Sequence, residues 1–107
     1  MKRALALLAM AASPASADAL LQMDYENFYK TQTGAAEIVL KFTNNGATSV
    51  SFVKADCALL GADGKALTVV MVIAQNIAPG AHAYAKNTGG RDLPVKQADC
   101  RVVAVDR

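Results

Sequence analysis

Apolar and polar residues alternate along most of the chain with a period of two. In residues 36–43, Ile38, Leu40 and Phe42 fall on one face, and Glu37, Val39, Lys41 and Thr43 on the other. That is the pattern of a half-buried strand. Asn44-Asn45-Gly46 ends it, with turn chemistry that suits either a hairpin or a crossing to a second sheet. Residues 48–60 predict another strand, with Val53, Ala55, Cys57 and Leu59 on one face and Val50 and Phe52 in the opposite phase. The phase change at Phe52-Val53 implies a bulge or a stretch buried on both faces. Asp63-Gly64 predicts a tight hairpin turn, because both central residues need or tolerate positive φ. The run A-L-T-V-V-M-V-I-A at residues 66–74 is almost wholly apolar and rich in β-branched residues, and it predicts a central strand. After the turn Ile77-Ala78-Pro79-Gly80, residues 81–86 alternate alanines with His82, Tyr84 and Lys86. A polar loop over residues 87–94 precedes a last strand at 97–106, which places Cys100, Val102 and Ala104 on one face.

Both ends of the N-terminal third depart from this pattern. Met1-Lys2-Arg3, the apolar run 4–12 and Ala15-Ser16-Ala17 form the positive, hydrophobic and cleavage regions of a secretory signal. The apolar run is far shorter than the roughly 20 residues a membrane span requires, so cleavage after Ala17 is expected, with no transmembrane segment in the mature chain. Residues 18–34 fit neither strand nor helix periodicity. They form an N-terminal edge segment, either an irregular strand along a sheet edge or a helical turn around residues 24–29. Its three aromatics (Tyr25, Phe28 and Tyr29) are expected to pack against the body at residues 35–107.

Loss of the leader changes the charge. The full chain carries 11 Lys+Arg against 9 Asp+Glu, and Lys2 and Arg3 leave with the signal, so the mature chain is near neutral. With no basic cluster remaining, nucleic acid is not an expected partner. About 90 residues make one domain with an adequate core. Two cysteines, Cys57 and Cys100, in an exported chain read as one structural disulfide, either within a sheet or between sheets. The loop it closes is worth about 4 kcal/mol in the chain-entropy model. Five to seven strands joined by Gly, Pro and Asn turns make an all-β sandwich the expected architecture.

Candidate chemistry is sparse. His82 is the lone histidine, no serine or carboxylate stands in a nucleophile setting, and Gly89-Gly90 lacks the strand-then-helix context of a phosphate loop. No C-x-x-C or second Cys/His cluster completes a metal site, and no cofactor is expected. Each cysteine follows an Ala-Asp pair, so a cross-strand disulfide would set Asp56 and Asp99 on the outward faces of their strands as solvated charges. If they converged, they would suit Ca²⁺ or acid–base work.

The run Cys57-Ala58-Leu59-Leu60-Gly61-Ala62-Asp63-Gly64 has the spacing of the F-x-L-Y-D-x-x-G motif. Leu59 and Gly64 match it by identity, while Cys57, Leu60 and Gly61 stand for its Phe, Tyr and Asp. Together with Asn44 at a strand end and Ile77-x-Pro79-Gly80 before another, this resembles the FxLYD-type domains, which are small extracytoplasmic β-sandwiches. The resemblance implies an immunoglobulin-like fold. The expected function is a non-catalytic module, periplasmic or secreted, that binds a protein or envelope component. Its working surface would be a sheet edge, through strand addition, or the loops carrying Asn44, Asn45 and Gly46 and Asn87, Gly89, Gly90 and Arg91. The alternative is a small ligand or metal carrier using His82, Met71 or the aspartates.

Overall fold

The computed structural model describes residues 19–107; the signal sequence expected at 1–17 lies outside them. Six strands follow in order: β1 (Leu21–Lys30), β2 (Ala36–Asn44), β3 (Val50–Leu60), β4 (Ala66–Ile77), β5 (His82–Gly89) and β6 (Gln97–Asp106). They form two antiparallel three-stranded sheets, β1-β2-β5 and β4-β3-β6, and no helix occurs among the described residues. The protein is therefore all-β, a small sandwich with one disulfide. β1–β2 and β3–β4 are hairpins, and the chain crosses between sheets after β2, β4 and β5. Asn44-Asn45-Gly46 is thus a crossing and not a hairpin.

The central strands β2 and β3 supply most of the core. Ile38, Leu40 and Phe42 from β2 face Val53, Ala55, Cys57 and Leu59 from β3, and all seven are buried. This is the alternation predicted from the sequence. β1 is an edge strand, bulged at Glu26 where Tyr25 pairs with Leu40 and Asn27 with Val39. Tyr25 and Phe28 pack against the core, while Tyr29 is exposed.

Three local expectations are corrected. β4 is an edge strand and not a central one: Val72 and Ala74 point inward, but Leu67, Val69, Met71 and Ile73 face solvent. The phase change in β3 is shared by its partner. Val50 pairs with Ile77 and Val53 with Ala74, both inward, and Asn76 between them takes a left-handed φ of 56°. The hairpin turn is longer than two residues. Gly64 N–H donates to Gly61 O, Gly61 N–H donates to Lys65 O, and of Asp63 and Gly64 only the glycine has positive φ, at 82°. Asp63 instead accepts from Lys65 N–H through its carboxylate.

Asn44 continues the inward face of β2, yet it is polar and has no exposed surface. Its amide donates to Thr48 O at 2.9 Å and Ile77 O at 3.0 Å, and its oxygen accepts from Gly46 N–H and Arg107 Nη1, each at 3.0 Å. Its backbone N–H and C=O bond Ala81 and Gly80. A buried amide is tolerable only when its donors and acceptors are met, and here one side chain ties the end of β2 to β4, the β2–β3 connection and the C-terminus. Asn44→Ala should cost roughly 2–4 kcal/mol, since it orphans several buried partners at about 1 kcal/mol or more each. Urea unfolding checks this; a loss under about 0.5 kcal/mol would contradict the hub role.

Candidate interaction surface

Cys57 and Cys100 are direct cross-strand partners in the β3–β6 ladder, so the disulfide lies within one sheet. Both are fully buried. Because side chains alternate, their neighbours must point outward. Asp56 lies opposite Arg101, and Ala58 opposite Asp99, on the outer face of β4-β3-β6. On the other side of β3, Lys54 pairs with Ile73, Asp56 with Met71 and Ala58 with Val69. The outer face is thus a charged strip on β3 and β6 beside an apolar stripe on β4.

The exposures are large for such side chains: Val69 55%, Met71 49%, Ile73 45% and Leu67 37%, with Val103 at 45% across the sheet on β6. Two exposed tyrosines, by contrast, lie on the opposite face. There Tyr29 hydrogen-bonds Glu37, which raises the tyrosine pKa, and Lys86 Nζ lies 3.5 Å from Glu37 Oε2. His82 stacks edge-to-face on Tyr84 at 5.4 Å. An open hollow of about 220 Å³ beside them is lined by Val39, Tyr84, Ala85 and Lys86. That face joins its polar groups to one another, whereas the β4-β3-β6 face leaves carbon uncovered.

The charged strip is also short of partners. One carboxylate oxygen of Asp56 and one of Asp99 are shut off from water without a hydrogen-bond donor. Arg101 stands across from Asp56 in the ladder, yet no ion pair joins it to either aspartate among the described residues. The two aspartates are therefore on the outward faces, as the disulfide pairing requires, but are not simply solvated.

The edges of this sheet are guarded. Tyr25 reaches from β1, and the Cys100 N–H on the edge of β6 donates to its hydroxyl oxygen at 2.5 Å. On the other side, Asn87 Nδ2 donates to Met71 O at 2.6 Å, and no room remains for a Cβ on Gly89 against Val70 Cγ1. Bulges at Leu67 on β4 and Val103 on β6 further interrupt the edges. Edge bulges and side-chain cover are the usual obstacles to strand addition.

The residues singled out from sequence fall in separate places. Asn44, Asn45 and Gly46 sit at one end of the described residues, which extend 41 Å, and Asn87, Gly89, Gly90 and Arg91 lie towards the other. Asn44 is engaged in the hub, Asn87 in its bond to Met71 and Gly89 in the approach of β5 to β4. His82 and Met71 are on different sheets, and no group of three or more His, Cys, Asp or Glu converges among the described residues. The apolar stripe is what sequence reading missed.

No family model matches the chain, and no curated protein matches it. Among solved structures it is similar to IrmA from Escherichia coli, with a TM-score of 0.60 and 7% identity. The match covers 79% of this chain and 74% of that one. At that identity the likeness concerns the fold alone. A disulfide, and the absence of any described helix long and apolar enough to cross a membrane, are compatible with export.

Tyr25 supplies a pH prediction. Burial foremost pushes its phenol up to about 12; the nearby Asp99 charge adds to this, and the Cys100 hydrogen bond opposes it. Its folded pKa exceeds the unfolded one, so the stabilisation is complete below about pH 10 and is lost as pH rises from there towards 12. Tyr25→Phe should flatten that alkaline slope and cost about 1 kcal/mol at neutral pH through the orphaned N–H. Chemical unfolding across the alkaline range measures both, and an unchanged slope would contradict the assignment.

Proposed function

We propose that this protein is a non-catalytic module, periplasmic or secreted, that works by docking a protein partner on the outer face of β4-β3-β6. The observation carrying the proposal is the exposed stripe of Leu67, Val69, Met71 and Ile73. Isolated apolar side chains on a surface need no explanation, but a contiguous row does, and such rows mark interaction sites. Polar residues frame this row as they frame the rim of an interface. The guarded edges favour face docking over strand addition.

The partner's contact surface would be apolar where it meets β4 and would carry opposite charges where it meets Lys54, Asp56, Asp99 and Arg101. A photo-crosslinking side chain at Val69 should give a defined adduct in cells. The same group at Lys41, on the opposite sheet, should not, and Met71→Glu should abolish the Val69 adduct without lowering the Tm. Equal labelling from both faces would overturn the proposal.

A further inference from the structure

Resting on that choice of face, we infer that its occupant is a second copy of this chain, stacked face to face about a twofold axis. The inference comes from the order of charges along the strands. Arg101 lies level with Asp56 and Met71, and Asp99 lies one row further on, level with Ala58 and Val69. On β3, Lys54 precedes Asp56 by one row in the same direction. Over these three rows positive groups therefore lead and negative groups follow on both strands; beyond them Asp106, level with Phe52, adds a further negative group at the leading end of β6.

A twofold axis between the copies, running across the strands, reverses that order in the partner. Centred on the stripe, between Met71 and Val69, it sets Met71 over the partner's Val69 and Ile73 over the partner's Leu67. The same placement sets Arg101 over the partner's Asp99, and it does so twice by symmetry. The axis that matches the apolar rows thus also matches unlike charges on β6, while on β3 it sets Lys54 and Asp56 over the partner's Leu60 and Ala58. Asp99 enters the face with one oxygen already deprived of water and of a donor. A guanidinium above it offsets a charge its own chain leaves under-compensated. Arg101, unpaired with either aspartate in its own chain, is the group available to do this.

Size sets the strength. Three strands about 4.8 Å apart and four side-chain rows about 6.7 Å apart give a contact of roughly 15 by 25 Å. That is roughly half of what a stable pair covers on each partner, about 800 Å², and lies in the range of weak, transient contacts. The pair should therefore be a concentration-dependent dimer and not an obligate one.

Sedimentation of the purified, disulfide-intact protein over a wide concentration range tests this. The mass should rise from monomer towards dimer, and Met71→Glu should remain monomeric with an unchanged Tm. Arg101→Glu and Asp99→Lys should each weaken self-association at least tenfold, because each sets like charge against like. Mixed together, those two variants should recover a heterodimer, because positions 101 and 99 then face unlike charges at both of their contacts. A monomer at all concentrations overturns the second copy; if the Val69 adduct then still depends on Met71, the face stands and its occupant is a different protein. A dimer that persists in Met71→Glu, or a mixture that fails to associate when the native chain does, places any self-contact elsewhere and overturns the inference.

Discussion

The pairing of Cys57 with Cys100 fixes the register of β3 against β6, and the surface chemistry depends on that register. A slip of one residue would turn every side chain to the opposite face. With the cysteines buried as direct partners, Asp56, Asp99 and Arg101 have only the outer face available. The β3–β4 hairpin extends the constraint. Val70 lies opposite Cys57 and points inward, so Met71 and Val69 must point out. One covalent bond thus sets both the packing of the inner face and the order of groups on the outer one.

The two sheets meet unequally. Along one seam, β5 lies close to β4, with Asn87 holding a β4 carbonyl and Gly89 against Val70. Along the other, Tyr25 bridges β1 and β6. At one end Asn44 gathers the strand termini, and Lys30 Nζ donates to Leu93 O at the other. These side-chain ties hold a sandwich whose core is only about as large as 90 residues allow. They also occupy edge groups that would otherwise be open to a stray strand. What they leave open is a face that carries an exposed apolar row.

Much of this fold was legible in the sequence because contrast was high. Ile38, Leu40 and Phe42 alternate with Glu37, Lys41 and Thr43, so β2 announced its inward face. Cys57 did the same for β3. β4 was illegible for the opposite reason: Thr68, Val70, Val72 and Ala74 alternate with Leu67, Val69, Met71 and Ile73, and both sets are largely apolar. A run without contrast suits a strand buried on both faces, and the local sequence cannot reveal that one face lacks a neighbour. The missing signal was non-local: an inward Cys57, read through the hairpin register, assigns the parity of β4. Asn44 was recognisable as a turn former, but its burial follows from where Arg107 and Ile77 arrive, and no local pattern carries that.

The most direct test of the central claim is side-chain footprinting of β4. Oxidative labelling of Leu67, Val69, Met71 and Ile73 should be compared between dilute purified protein and protein in its cellular setting. The account predicts that these four, together with Val103, become protected in the cell while Tyr84 and His82 on the opposite face do not. Equal labelling of the β4 stripe in both settings would contradict it.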